Sequence, residues 1–439
     1  MTTSARLAQY RPILEDIEPI RAKGTVQHVV GLLIEGKGPA ASIGDMCDIY
    51  PRFTSAALKA EVVGFRGPHV LLMPLGTMRG VHPGSVIINR GEKAAVPVGP
   101  DMRGRVFDGL GQPLDQGGPY AVEHTYPLYA EPLNPLWKQR ITTPLDLGVR
   151  AINALLTCGK GQRLGIFAGS GVGKSVLLGM MARYTKADVN VIALIGERGR
   201  EVREFLERDL GPEGLSKSVV VVATSDQAPL VRMRGAYVAT AMAEYFRDQG
   251  QDVLLMMDSV TRCAMAQREV GLSVGEPPIT KGYTPSVFAL LPKLLERAGN
   301  GYDHGSITGL YTVLVEADDP NDPVADAVRS ILDGHILLSR DLAIKHHYPA
   351  IDILASLSRV MGDIISPQHA DLAGKLRRAL AVYRDAEDLI NIGAYVQGNN
   401  PTIDDAMRRI DGIQMFLRQS VGDAVDFDAS LQQLRELMQ

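Results

Sequence analysis

The stretch "RLGIFAGSGVGKSVLLGMMARY", residues 163–184, restricts the possible folds of this chain more than any other. An apolar run that reads as a buried strand passes directly into a glycine-rich turn, and the turn into a helical run. That order surrounds an anion with backbone N–H groups and a helix N-terminus, the arrangement of a phosphate-binding loop. Gly169, Gly171 and Gly173 let the backbone turn inward and approach phosphate oxygens closely. Lys174 is positioned to reach the β- and γ-phosphates, and Ser175 to ligate Mg²⁺. The candidate nucleotide-binding residues are therefore Gly169, Ser170, Gly171, Val172, Gly173, Lys174, Ser175 and Val176. Ala168 takes the position where the usual pattern opens with glycine, and its methyl group is harmless at a strand end with negative φ. The competing reading is a glycine-rich strand–helix turn with no ligand.

Gripping phosphate is not hydrolysing it, and further groups are needed. Asp258 ends the apolar run "DVLLMMD", where a carboxylate can hold the Mg²⁺ shell through water or through Ser175. Glu197 ends another such run, in "LIGERGRE", and is placed to polarise an attacking water. Its neighbour Arg198 can orient that residue or contact phosphate; the plainer alternative is a solvated helix-capping cluster. Arg262, one helical turn beyond Asp258, either adds positive charge near the γ-phosphate or forms a surface salt bridge.

With 439 residues the chain exceeds one ordinary core, so two or three domains are expected. A net charge of −4 argues against a general nucleic-acid binder. Cys47, Cys158 and Cys263 are far apart, which suits free thiols in a reducing cytoplasm better than a disulfide or zinc framework. The N-terminus lacks the apolar core of a signal peptide, and no run reaches the ~18 apolar residues of a membrane span. Residues 1–23 carry Leu7, Tyr10, Leu14 and Ile17 at helical spacing, either a partner-docking helix or a frayed terminus. Residues 24–95 alternate short β-rich runs with glycine turns, which predicts a small barrel or sandwich. Over residues 96–366, strand candidates at 163–168, 189–196, 218–224, 252–258 and 307–316 alternate with helical patterns. Near-continuous apolar strands with helical crossovers predict a parallel sheet covered on both faces. Residues 367–439 read as helices, with "QGNNPT" between two of them.

Five motifs together resemble the catalytic subunits of rotary ATP synthases and the related ATPases of type III protein export. They are "GRVFDGLGQPLD" (104–115), "TPLDLGVRAINALLTCGKGQRLGIFAGSGVGKS" (143–175), "IGERGREV" (195–202), "LLMMDSVTR" (254–262) and "YPAIDILASLSR" (348–359). Within that superfamily, "GEPPITKGYTPSVFALLPKLLERAGN" (275–300) is similar to the export ATPases, and "DLINIGAYVQGNNPTIDDA" leans to the flagellar branch. The resemblance implies a multi-domain α/β fold: an N-terminal β-barrel, a central RecA-like parallel-sheet P-loop domain and a C-terminal helical domain, assembled as a six-membered ring. It implies ATP as substrate with Mg²⁺, and catalytic roles for Lys174, Glu197, Arg198, Arg262 and Arg359. Arg359 matches an arginine finger directed at a neighbouring subunit's γ-phosphate. Tyr348 matches the residue that stacks on adenine, and Tyr395 a second aromatic wall; ordinary core packing is the alternative for each tyrosine.

The implied activity is ATP hydrolysis that energises flagellar export by unloading or unfolding substrates from chaperones. The implied partners are further copies of the chain in a homohexamer, a dimeric regulator at the N-terminus, a central stalk protein, a membrane export gate and chaperone–substrate complexes, with no nucleic acid. The implied location is cytoplasmic, at the periphery of the inner-membrane export apparatus. The alternatives are an injectisome ATPase, a rotary ATP synthase subunit, a termination-factor-like RNA translocase and a non-enzymatic regulatory subunit.

Overall fold

A computed structural model describes residues 22–52, 56–302, 304–315 and 322–439. The helix expected over residues 1–23 lies outside them, except that Lys23 opens the first strand. Six strands form a closed barrel: β1 (Lys23–Val30), β2 (Leu33–Lys37), β3 (Asp45–Tyr50), β4 (Leu58–Arg66), β5 (His69–Pro74) and β6 (Val86–Lys93). They run in the order β1-β2-β5-β4-β3-β6, with antiparallel pairing throughout and β6 closing back on β1. Val26, Ile34, Ile49, Val62, Leu72 and Ile87 fill the interior. Closure pairs every edge, so short strands suffice.

From Ala95 onward, apart from Leu272–Glu276, the chain forms a second unit built on a nine-stranded sheet. A two-stranded ribbon, β7 (Ala95–Val98) with β9 (His124–Pro127), accompanies it. The main sheet contains β8 (Val106–Asp108), β10 (Arg163–Ala168), β11 (Val189–Ile195), β12 (Ser218–Ala223) and β13 (Asp252–Asp258). It is completed by β14 (Gly299–Asn300), β15 (Ser306–Leu314), β16 (Gly334–Leu338) and β17 (Ile351–Ser358). The order is β17-β16-β10-β15-β13-β11-β12-β8, with β14 beside β15. All neighbours are parallel except β17 against β16 and β14 against β15. The five strands expected from the sequence are its centre. Every residue of β11 and β12 is buried, as a sheet covered on both faces requires.

Parallel pairing puts the C-terminal ends of β10, β11 and β13 at one edge of the sheet, and Ala168, Glu197 and Asp258 lie at or just past those ends. Residues 200–210 read as a single helical run but split into an α-turn, Gly199–Glu204, and a π-helical turn, Phe205–Leu210. The widened turn brings the Asp209 carbonyl against the helix Lys174–Tyr184, where Arg183 donates to it. Only glycine fits opposite, because a Cβ at Gly179 would lie 2.5 Å from that oxygen.

The C-terminal region has three helices, Pro367–Asn391, Pro401–Leu417 and Phe427–Met438. Ala373, Leu376, Ile413, Phe416 and Leu434 share one core with Leu147, Ile152 and Leu155. The second helix ends at Leu417, although its apolar pattern reads on to Val421. Arg418 is extended, with φ −82 and ψ 139, and the chain turns inward after it.

Candidate active site

β10 ends at Ala168, whose φ is not positive, while Gly171 and Gly173 take φ values of 79 and 92. The left-handed turn therefore falls on glycines, and alanine is accommodated in the strand. Gly173 caps the helix Lys174–Tyr184 and lets the loop close over its N-terminus.

Two cavities open on this loop. The first, about 660 Å³, is lined by residues of the loop from Ala168 to Val176 together with Glu197, Arg198, Thr261 and Arg262. The second, about 540 Å³, is lined by Gly173, Val176, Leu177 and Met180 on one side and Tyr348 and Pro349 on another. Arg418, Gln419 and Val421 supply a further wall. The cavities share Gly173 and Val176, so the loop forms a boundary common to both.

Lys174 and Glu197 line the first cavity and form one cluster with Asp258, which is buried behind them. The Lys174 ammonium is hydrogen-bonded to Asp258 Oδ1 and lies 3.5 Å from Glu197 Oε1. Asp258 is buried, and the Thr312 hydroxyl donates to the same oxygen over 2.7 Å. Burial pushes the Glu197 carboxyl up to about 7; its hydrogen bond to Glu201 and the Asp258 charge act in the same direction, against Lys174. Glu201 is held below the ordinary carboxylate range, chiefly by that hydrogen bond. A carboxyl that titrates near neutrality beside a lysine can exchange a proton with water at working pH.

No group of three or more metal-ligating His, Cys, Asp or Glu side chains occurs among the described residues. Ser175 and Asp258 are hard oxygen donors beside the loop. They fit a Mg²⁺ that arrives on a nucleotide and keeps most of its ligands from phosphate and water.

The other expected residues are placed differently. Arg198 lines the first cavity with its side chain 79% exposed, 3.6 Å from Glu201. Arg262 lines it too, and its Nε is buried without a hydrogen-bond partner. The Tyr348 ring lies over the loop, 3.4 Å from where a Gly173 Cβ would be. Tyr395, expected as a second aromatic wall, lines neither cavity in the single chain. Its hydroxyl bonds to Asn400 and Asp404 and closes the turn before the helix Pro401–Leu417. The wall from the C-terminal region is residues 418–423 instead.

Arg359 also lines neither cavity. It follows the end of β17 and donates its N–H to the Asp333 carbonyl; Asp333 in turn bonds to Arg163 at the start of β10. It is exposed at the sheet edge opposite the phosphate loop.

Three family models match this chain. The "ATP synthase alpha/beta family, nucleotide-binding domain" covers residues 148–358, the same family's "beta-barrel domain" covers 26–91, and the "T3SS EscN ATPase C-terminal domain" covers 365–436. The "Flagellum-specific ATP synthase" of Bacillus subtilis is 54% identical over 427 residues, 97% of each chain. The chain belongs to the flagellar and type III secretion branch of the ATP synthase alpha/beta family. The "Type 3 secretion system ATPase" of Xanthomonas euvesicatoria is 51% identical over 414 residues, 94% of this chain and 93% of the relative. The assembled EscN ATPase of enteropathogenic E. coli superposes with a TM-score of 0.88 at 47% identity, over 95% of this chain and all of that one. EscN in complex with its central stalk EscO gives a TM-score of 0.88 at 46% identity, with the same coverage.

Sequence reasoning passed over Thr312, Glu201 and the segment 418–423. Thr312 had a readable signal, a hydroxyl inside the otherwise apolar run "LYTVLV". Glu201 and the segment had none, because only folding brings them to the cavities.

Proposed function

We propose that this chain is the ATPase that energises flagellar type III protein export and works as a homohexamer whose active sites are shared between neighbours. The observation that carries this reading is the separation of two sets of groups. Lys174, Glu197 and Asp258 converge beside the phosphate loop, while Arg359 is exposed at the opposite edge of the same sheet. A chain that cannot reach its own cavity with Arg359 can offer it to the next subunit's.

In this reading the loop amides and Lys174 hold the β- and γ-phosphates, and Ser175 and Asp258 would hold a Mg²⁺ that would supply positive charge at the phosphates. Glu197 takes a proton from the attacking water. Arg198 and Arg262 contribute positive charge at the phosphates, and Tyr348 stacks on the base in the second cavity. Arg359 of one protomer spreads transition-state charge in its neighbour.

The assembled EscN structures and the EscN–EscO complex support a ring and a central stalk partner. A dimeric regulator at the N-terminus, a membrane export gate and chaperone–substrate complexes complete the proposed partners. No helix among the described residues is long and apolar enough to cross a membrane. We propose a cytoplasmic location at the periphery of the inner-membrane export apparatus.

The Xanthomonas relative, only slightly less similar than the Bacillus one, favours a second reading as an injectisome ATPase. Deleting the gene in the source cell separates the two. The flagellar reading expects loss of filaments and motility with effector secretion intact, and the reverse pattern overturns it.

A further inference from the structure

Gln419 has no role in the chemistry described above, yet it is buried and every polar group of its side chain is used. Its Oε1 accepts from the Arg150 N–H at 2.8 Å, and its Nε2 donates to the Gly148 carbonyl at 2.8 Å and the Asp423 carbonyl at 2.7 Å. Its own backbone N–H donates to the carbonyl of Tyr348 at 3.0 Å. One residue thus ties the wall 418–423 to the start of the nucleotide-binding core and to the tyrosine across the second cavity. The far end of the wall is pinned separately. Arg183 and Tyr184, at the end of the phosphate-loop helix, both donate to the Val421 carbonyl, at 2.9 and 3.0 Å.

We propose that Gln419 is a positioning residue for the nucleotide base. It sets the distance between the 418–423 wall and Tyr348, and so governs ATP affinity without entering the chemical step. This inference rests on the ATPase reading above. Only an amide meets the bonding pattern, because an acceptor must face the Arg150 N–H while a donor serves two carbonyls. Glutamate would set a carboxylate oxygen against the Gly148 and Asp423 carbonyls. Methionine fills the same space and bonds to neither. The segment lines the second cavity and not the first, so a displaced wall reaches the base and leaves the phosphates alone.

The test compares the full-length chain with its Gln419→Met and Gln419→Glu variants by steady-state ATP hydrolysis. Inorganic tripolyphosphate, which has no base, serves as a competitive inhibitor. Loss of these buried bonds is expected to raise KM for ATP about tenfold in both variants, with kcat within about twofold of the parent. The tripolyphosphate inhibition constant should not move. Tyr184→Phe removes one of the two bonds to Val421 without touching the core, and should raise KM by about twofold in the same direction. An unchanged KM overturns the proposal, and so does parallel weakening of ATP and tripolyphosphate, which marks general damage to the fold. A parent chain that does not hydrolyse ATP overturns this proposal and the functional reading together.

Discussion

The phosphate cavity and the base cavity meet at Gly173 and Val176, but they are built in opposite ways. The first draws its charged groups from strand ends and turns of one sheet, so its geometry follows from parallel pairing of β10, β11 and β13. The second is closed by a segment from the C-terminal region, held by hydrogen bonds to residues about 270 positions earlier. In the proposed reading the strand ends and the loop after β10 hold the phosphates, while a segment between helices walls the cavity for the base, and a shift of those helices moves that wall. Affinity and chemistry are therefore separable by mutation, and Arg359 adds a third party that lies in neither cavity.

The largest effect is expected at that third party. Arg359→Ala should lower kcat by roughly 10³ to 10⁵ while ATP binding, followed by fluorescent-nucleotide titration, stays nearly intact. A variant with near-normal turnover breaks the separation of finger and cavity. A smaller effect on the other side of the comparison is expected from Tyr348→Ala. Loss of base stacking should raise KM for ATP by about ten- to a hundredfold with kcat little changed, and Tyr348→Phe should stay close to the parent. If Tyr348→Ala instead lowers kcat and leaves KM alone, the second cavity does not hold the base.

The smallest effect concerns pH. Glu197 must be a carboxylate to accept a proton, and burial raises it to about 7. The acid limb of kcat/KM should therefore have its midpoint near 7, with activity rising as pH rises through it. Glu201→Gln replaces the charged acceptor that favours protonated Glu197 with a neutral, weaker one and should move that midpoint downward. Stability runs the other way. The folded Glu197 keeps its proton between the ordinary value of 4.5 and about 7, so its contribution to stability falls as pH rises through that window.

The contrast between the cavities also explains what was legible in the sequence. The phosphate loop is read from nine consecutive residues, because backbone turn, dipole and lysine are all local. The five central strands are readable because burial on both faces leaves them almost wholly apolar. The barrel shows itself in short β runs broken by glycine. β16 and β17 carry no such mark. Helical periodicity continues past Leu417, and only distant partners at Gly148 and Arg150 pull Gln419 out of it. A role for Tyr395 at the nucleotide rests on likeness alone, and in the single chain its hydroxyl bonds to the local turn at Asn400 and Asp404. The finger was invisible in "SLSR" without the family, since its function depends on a surface that a single chain does not contain.

The central claim is that each active site is completed by the neighbouring subunit, and mixing two disabled chains tests it directly. Glu197→Gln lacks the water-activating group but keeps Arg359, and Arg359→Ala has the opposite defect. Each should be nearly inactive alone. Combined at ring-forming concentration, they create interfaces where an intact Glu197 faces an intact Arg359, and the account predicts that ATPase activity returns. If the mixture stays as inactive as its two components, the site is not shared and the account is contradicted.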